Sequence, residues 1–351
     1  MDSSHGLNCR SYRFFLDVRL LGDWNKHMNQ GKPKTLRDAI RYFSDEQVCI
    51  DTVAALRWPN GPVCPKCSGT AHYYLATQKR WKCKNPKCAK QFTVKLGTIF
   101  EDSPITLDKW LIALWMLVNC KNGISSYEVG RDLGITQKSA WFVLQRLRLA
   151  LQARSFVKLG GEGMGVEVDE TFIGGLSRNM HKDVRKRRID GTGIKDKTAV
   201  QGILERGGEV RATVVSNRKK HLLQSNIRAH IKAGSAIYTD ALMSYMGLKQ
   251  QGFQHQVIDH AEKYVDGQVH TNGMENFWSL VKRGLKGTYI SVEPFHLFRY
   301  LDEQVYRYNN RGNKFNPLHD GDRFEKALSQ IAGKRLTFAE VTGKVGASAC
   351  N

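Results

Sequence analysis

Apolar side chains recur at helical spacing in the stretch that follows residue 104. A first segment from Thr106 to Gly123 repeats them every three or four positions, which predicts a helix with a buried face. Ser125 and, three residues later, Glu128 form a capping-box pattern that starts a short helix ending at Gly134. The stretch therefore begins as two helices joined by a turn.

A third helix follows Gly134, with Thr136 as its N-terminal cap. Its predicted buried stripe consists of Ala140, Leu144, Leu147 and Leu151. A short helix, a turn and a longer basic helix are the layout of a helix-turn-helix, although an ordinary three-helix bundle shows the same pattern. In the DNA-reading interpretation Gln137, Lys138 and Ser139 face base edges, and Arg146 and Arg148 lie nearer phosphates.

The second half of the chain alternates between strand and helix patterns. Val166–Ile173 alternates with period two, which places Asp169 on the face opposite Val166 and Val168. A hairpin is predicted from residues 198 to 216, then a helix at 220–232 and a strand at 235–240 that ends on Asp240. Glycines at 160–163 mark a linker before this part. These patterns indicate a mixed α/β domain.

A further helix is predicted from residue 270 onward. Its apolar stripe consists of Met274, Phe277, Val281 and Leu285. Glu275 lies on an adjacent polar stripe with Lys282. A single glutamate on such a helix usually belongs to a solvated charge pattern, so only partners elsewhere in the chain can give Glu275 another role.

Composition narrows the function classes. The 351 residues include 54 Lys and Arg against 33 Asp and Glu, a net charge of +21. An excess spread through every region favours nucleic acid over a membrane surface as partner. The longest apolar run, at 111–118, is too short to span a bilayer, and no secretory signal pattern opens the chain. We therefore expect a cytoplasmic, nucleoid-associated protein that binds double-stranded DNA.

Four of the eight cysteines are clustered as two pairs. The pairs are Cys64 with Cys67 and Cys83 with Cys88. This spacing predicts a zinc ribbon with one structural Zn²⁺ and no open ligand position. The alternative is a pair of disulfides or free thiols, which a reducing compartment disfavours.

A very basic loop connects the first two strands of the mixed domain, from Arg178 to Lys197. Its charge is densest at Arg185, Lys186, Arg187 and Arg188. Two interpretations are equally open, a solvated disordered segment and an arm that contacts DNA phosphates.

Three acids stand out against the positive background, namely Asp169, Asp240 and Glu275. An aspartate such as Asp240 at a strand end is often only a cap for the next helix. Three carboxylates from separate elements, however, suit two Mg²⁺ or Mn²⁺ ions, which stabilise the attacking and leaving oxygens in phosphoryl transfer.

In this order, the motifs resemble an insertion-sequence transposase family, the one grouped with ISXO2 and IS1595. The matching pieces lie at 64–67, 83–88, 166–175, 197–203, 237–240, 269–278 with 282–283, 299–302 and 307–311. The expected organisation is an extension at 1–40, a zinc ribbon at 41–100, a helix-turn-helix domain at 104–153, a catalytic domain at 163–312 and a tail at 313–351.

The resemblance implies an RNase H-like catalytic domain of the DDE type that cuts and joins DNA. Asp169 and Asp240 correspond to the first two acids of its motif. The third position is Asn272 or Glu275, and we favour Glu275 because an anionic oxygen binds magnesium better than an amide. Lys282 then holds a DNA phosphate, with Arg283 beside it.

The family also implies binding to terminal inverted repeats and assembly as a homodimer or larger. Two other functions remain open from the sequence. One is a DNA-binding regulator with an inactive catalytic domain, and the other is a structure-specific nuclease.

Overall fold

The structure is a computed structural model of the full chain. It describes residues 32–152, 157–161, 163–175, 181–188, 197–258, 270–313 and 316–343. Most of the predicted N-terminal extension, residues 1–31, therefore lies outside the described part. None of the helices in the described ranges has the length and apolar character that crossing a bilayer requires.

The helices, in chain order, are α1 Leu36–Tyr42, α2 Glu46–Arg57, α3 Leu107–Asn119, α4 Ser126–Leu133, α5 Gln137–Leu151, α6 Lys182–Arg188, α7 Lys220–His230, α8 Asn272–Gly287, α9 Leu297–Asn309, α10 Asp320–Leu328 and α11 Phe338–Val341. The strands are β1 His72–Leu75, β2 Arg80–Cys83, β3 Gln91–Phe92, β4 Gly165–Ile173, β5 Thr198–Glu205, β6 Val210–Val215, β7 Ala236–Asp240 and β8 Gln254–Ile258.

Strands β1, β2 and β3 form a small antiparallel sheet over an aromatic cluster. Trp81 is buried there and packs edge-on against Trp58 and nearly parallel to Phe92. A ribbon this small buries little apolar surface on folding, so a metal or a neighbouring core must supplement it. Here helices α1 and α2 share one hydrophobic core with the ribbon and with α3.

Helices α3, α4 and α5 follow the predicted pattern closely. The Ser125–Glu128 capping box is present, Gly134 ends α4 in the left-handed conformation, and the Thr136 side chain caps α5. Every residue from Trp110 to Val118 is buried. A helix that is apolar all round belongs inside a core, so α3 is the central helix of this region.

A five-stranded sheet in the order β6-β5-β4-β7-β8 forms the second half. Strands β4, β5 and β6 pair antiparallel, whereas β7 runs parallel to β4 and β8 runs parallel to β7. The sheet was predicted except for β8. Helix α7 packs on one face, in a core with Val166 and Val168, and α8 and α9 pack on the other. Because β4, β6 and β7 run in the same direction, their carboxyl ends lie at the same end of the sheet, which we call its carboxyl edge.

The C-terminal segment, for which the sequence offered no interpretation, returns to the helical region. Phe324 and Leu328 of α10 are buried in the core that contains Trp115 of α3. Phe338 of α11 packs against Phe142 of α5. The exposed surface of α5 is therefore smaller than an isolated helix-turn-helix would have.

Arg146 and Arg148, expected near DNA phosphates, are both buried, and that expectation is wrong for this structure. The exposed fraction of Arg146 is 3%, and its guanidinium donates a hydrogen bond of 2.6 Å to the carbonyl of Glu101. Arg148 is paired with the buried carboxylate of Glu303 on α9. The cause is the packing of distant segments against the second half of α5.

Candidate active site

The four clustered cysteines lie close enough to share one metal ion. Their sulfur atoms are all within 4.8 Å of one another, and Cys64 and Cys88 approach to 3.6 Å. A tetrahedral zinc with bonds of about 2.3 Å requires sulfur separations of roughly 3.8 Å. The donor set therefore fits a structural Zn²⁺, as the sequence predicted.

The backbone around these cysteines also favours metal binding. Burial alone would raise the pKa of the Cys64 thiol, but hydrogen bonds from the backbone N–H groups of Cys67 and Lys66, together with those of the Cys88 and Cys67 thiols, lower it to about 7. A cysteine that binds zinc does so as the thiolate. The turn therefore prepares Cys64 for coordination.

Asp169 and Asp240 lie beside each other on neighbouring parallel strands. The two strands pair Gly165 with Ala236 and Glu167 with Tyr238. Continued by two residues along both strands, the same register places Asp169 opposite Asp240. Residues at one register position of a parallel pair point to the same face. Both aspartates therefore point toward the face that α8 covers, at the carboxyl edge of the sheet.

Glu275 approaches this pair from the first turn of α8. Burial, followed by the charges of Asp240 and Glu275, raises the pKa of Asp169 to about 6. One helical turn beyond Glu275, the Trp278 indole N–H donates a hydrogen bond of 3.1 Å to Asp169 Oδ2. The three predicted acids are therefore close enough for the charges of Asp240 and Glu275 to act on Asp169.

The three acids are less closely gathered than the four cysteines. Among the described residues, the four cysteines are the one group of three or more potential ligands whose atoms all lie within 4.8 Å of one another. Asp169, Asp240 and Glu275 are therefore spaced more widely. Their carboxylate oxygens are nevertheless the kind of donor that hard divalent ions prefer.

Close packing of α8 on the sheet gives Glu275 its position. Asp169 is paired with Gly202 of β5, and a Cβ at Gly202 would lie 2.6 Å from the Trp278 ring. Only glycine leaves room for this helix. Met274 and Trp278 fill that space and are buried.

A carboxylate from β4 holds the start of the same helix. Glu167, two residues before Asp169, is 1% exposed and accepts a hydrogen bond of 3.0 Å from the backbone N–H of Met274. Its other oxygen accepts a bond of 2.8 Å from Arg206 Nε. Arg206 in turn donates to the carbonyl of His270 at 2.7 Å. We call Glu167, Arg206 and His270 the helix clamp.

The helix clamp was not predicted. Thr271, the residue that precedes α8, makes no side-chain cap. Glu167, on the face of β4 that α8 covers, accepts the hydrogen bond from the first turn of the helix in its place. A signal was present, because Glu167 lies between two apolar residues, Val166 and Val168, and shares a strand face with Asp169.

A fourth carboxylate, Glu170, also belongs to this edge and was missed. Burial, then the charges of Asp240 and Asp169, raise its pKa to about 8, and Arg218 opposes the rise. Its Oε1 is buried without a hydrogen-bond partner among the described residues. The edge therefore holds a fourth acidic side chain that the sequence motif does not include, and its surroundings favour the neutral form.

The remaining predicted residues lie at the surface or outside the described part. Asn272, Lys282 and Arg283 are exposed on α8, and Asn272 is the first residue of that helix. Gln137 and Lys138 are exposed and Ser139 half-buried at the start of α5. Arg185 and Lys186 are exposed on α6, a helix where a loop was predicted, and the side chains of Arg187 and Arg188 are outside the described part.

Two segments of the chain match known families. Residues 44–91 match the transposase zinc-ribbon domain, and residues 158–309 match the ISXO2-like transposase domain. A relative described as an uncharacterized protein in transposable element ISH50, from Halobacterium salinarum, is 27% identical over 261 residues. The match covers 70% of this chain and 85% of that protein.

A zinc ribbon joined to a mixed α/β domain with clustered acids defines a nucleic-acid-processing enzyme of the transposase class. The chain carries the ISXO2-like transposase domain and the transposase zinc ribbon, both of the IS1595 group.

Proposed function

We propose that the chain is a DDE-type DNA transposase that binds the ends of its own insertion sequence, cuts them and joins them to target DNA. The observation that carries this proposal is the convergence of Asp169, Asp240 and Glu275 at the carboxyl edge of the sheet. Three antiparallel strands followed by two parallel strands, with helices on both faces, support an RNase H-like fold for this domain.

Asp169 and Asp240 would hold two Mg²⁺ or Mn²⁺ ions, with Glu275 as the third acid. When bound, such ions stabilise negative charge on the attacking and leaving oxygens of an in-line displacement. The helix clamp and Trp278 hold α8 against β4, so Glu275 and Asp169 keep a fixed separation. Asn272 is the weaker candidate for the third position because its amide is neutral and exposed.

The chemistry consists of two phosphoryl transfers. In the first, water attacks a phosphodiester, the P–O3′ bond breaks and a 3′-hydroxyl is released. In the second, that hydroxyl attacks a phosphodiester of the target, so that one P–O bond forms as another breaks. No covalent bond to the protein is required. Lys282, seven residues beyond Glu275 on the exposed side of α8, would hold a phosphate near the reacting end.

Recognition of the ends would fall to the first half of the chain. The first turn of α5 stays accessible with Gln137, Lys138 and Ser139, and exposed Lys and Arg side chains on the ribbon would contact phosphates. Exposed Arg185 and Lys186 of α6 suit an arm on DNA. A protein that pairs two ends would act as a dimer or larger assembly.

Cleavage of DNA that carries the sequences flanking the gene tests this function. We expect the wild-type protein to nick such a duplex with Mg²⁺ and Asp240→Ala to bind the same duplex without cutting it. Glu209→Ala is a matched control, because Glu209 is an exposed carboxylate in the turn at the opposite edge of the sheet.

Three results would count against the proposal. Wild-type protein that binds these ends but never cuts them would favour a regulator. Cutting that ignores the end sequence would favour a nuclease. Cutting by Asp240→Ala at the wild-type rate would remove the acids from the mechanism.

A further inference from the structure

The loop between β6 and α7 lies at the same edge of the sheet as the clustered acids. Strands β4 and β6 both pair antiparallel with β5, so they run in the same direction and end at the same edge. Residues 216–219 follow the end of β6 directly. Ligands of α/β sheets bind outside the carboxyl ends of the strands, and this loop forms part of that rim.

A cleft of about 480 Å³ opens between this loop and the ends of β4 and β5. We call it the rim cleft. Its chemically relevant lining consists of Phe172, Lys197, Thr198, Ser216, Asn217 and Arg218. It therefore combines two cations with hydroxyl and amide groups, and none of the described residues that line it is a carboxylate. Cations with neutral donors are the groups that proteins use to contact DNA phosphates.

Arg218 is held in place on the wall of the rim cleft. Its guanidinium lies over the Phe172 ring, 4.7 Å from the centroid. Its carbonyl accepts a hydrogen bond of 2.7 Å from Ser244 Oγ, and Asn217 Oδ1 accepts one of 2.9 Å from the N–H of Lys219. An arginine stacked on an aromatic ring keeps its planar fork available for a second partner.

Arg218 takes part in none of the ion pairs within 4.0 Å that the described residues form. Its guanidinium can therefore pair with an anion from outside the chain. It is nevertheless close enough to Glu170 to oppose the rise in the pKa of that carboxyl. A DNA strand that reaches the acids must overcome repulsion between its phosphates and the ionised carboxylates at this edge. A cation fixed beside the acids offsets that repulsion.

The rim cleft also joins the basic arm to the sheet. Lys197 directly precedes β5, at the end of the connection that contains α6. Phe172 shares a strand face with Val166 and Val168, which pack in the α7 core, whereas Lys282 projects from α8 on the opposite face. Phosphate contacts at both places would hold a strand across the edge where the acids lie.

We propose that Lys197 and Arg218 form a phosphate-binding site for the DNA backbone in the rim cleft, on the face of the sheet opposite α8. This inference rests on the proposed action on DNA and adds a substrate contact that the sequence motif does not contain. Arg218 is a substrate-positioning residue in this account, with Phe172 as its support.

DNA binding of the full chain tests the site without catalysis. The probe is a fluorescently labelled duplex of arbitrary sequence, titrated over a series of salt concentrations without divalent cations. We compare the wild-type protein with Arg218→Ala, Arg218→Lys and Phe172→Leu. Arg228→Ala is the matched control, because Arg228 is exposed near the end of α7, the helix that follows this loop, and does not line the rim cleft.

We expect Arg218→Ala to bind roughly tenfold more weakly at low salt, with a slope of log affinity against log salt that is smaller by about one. Phe172→Leu and Arg218→Lys should give intermediate losses, because each keeps the charge but loses the stacked fork. Arg228→Ala should stay within about twofold of wild type. Thermal unfolding verifies that each variant is folded.

The outcomes separate the site from the proposed function. If wild type binds and Arg218→Ala matches Arg228→Ala in affinity and slope, the rim cleft is not a phosphate site, whatever the catalytic assay shows. If Arg218→Ala loses affinity while wild type never cuts its ends, the site stands and the proposed function fails. If wild type does not bind duplex DNA at all, both proposals fall.

Discussion

Replacing Glu303 by alanine gives the sharpest stability test, because Glu303 joins the two halves of the molecule. It is fully buried on α9 and pairs with Arg148 of α5 at 2.6 Å. It also contacts Arg307 and accepts a hydrogen bond from the Tyr289 hydroxyl. The two arginine side chains are 1% and 8% exposed. Alanine would leave two buried guanidinium groups without their shared anion.

The expected cost follows from that burial. Removing one partner of a buried charge network destabilises a protein by about 3–5 kcal/mol. Glu303→Gln keeps an acceptor and the side-chain volume, so we expect about 1–3 kcal/mol. The exposed pair of Glu46 and Lys79, whose side chains are 55% and 39% exposed, supplies the control. Glu46→Ala should cost no more than about 1 kcal/mol.

Equilibrium unfolding in urea, followed by tryptophan fluorescence and by circular dichroism, measures these differences. We expect the order Glu303→Ala, Glu303→Gln, Glu46→Ala from the largest loss to the smallest. A midpoint for Glu303→Ala equal to that of Glu46→Ala would refute the reasoning, since it would show that the buried arginines do not need their anion.

Three further predictions concern the zinc site, the helix clamp and pH. Cys83→Ser, or removal of zinc by a chelator, should expose Trp81 and shift its fluorescence to the red, with one zinc per chain found in the untreated protein; an unchanged spectrum would mean that the ribbon folds without metal. Glu167→Ala should reduce the rise in melting temperature that added Mg²⁺ gives and should lower the rate of DNA cleavage. Glu167→Gln keeps the acceptor for the Met274 N–H, so it should recover part of both. Equal losses in the two variants would contradict a positioning role for Glu167. The pKa of Asp169 is raised from 3.8 to about 6 by burial and the nearby acids, so in protein without added Mg²⁺ this group's contribution is fully present below about pH 4 and is lost as pH rises through about 6. Mg²⁺ should therefore raise the melting temperature more at pH 7.5 than at pH 5, and an increment that does not change with pH would contradict this.

The secondary structure of the described residues was largely readable from the sequence, because its cues are local. The capping pattern at Ser125 and Glu128, the turn at Gly134 and the alternation around Asp169 each depend on neighbouring residues. The zinc ligands were readable for the same reason. Strand β8 could not be read from the sequence, because Gln254–Ile258 is mostly polar and forms the outermost strand of the sheet.

Features that depend on distant partners could not be read in this way. Arg148 looks like a surface cation on a basic helix, yet its partner Glu303 is 155 positions away. The return of α10 and α11 to the helical region has no local signal. Arg218 had no local signal either, since it follows a strand in a polar segment. Its position near the acids depends on the direction of β6, and its orientation depends on the ring of Phe172.

Counting bound ions is the most direct test of the central claim that Asp169, Asp240 and Glu275 form one divalent-metal centre. Mn²⁺ binding can be followed by electron paramagnetic resonance on the zinc-loaded protein with duplex DNA, after subtraction of the ions held by the DNA alone. The account predicts two Mn²⁺ ions per chain in the wild type and loss of that binding in Asp169→Ala and Asp240→Ala, with Glu209→Ala unchanged. Equal Mn²⁺ binding in wild type and both aspartate variants would contradict it.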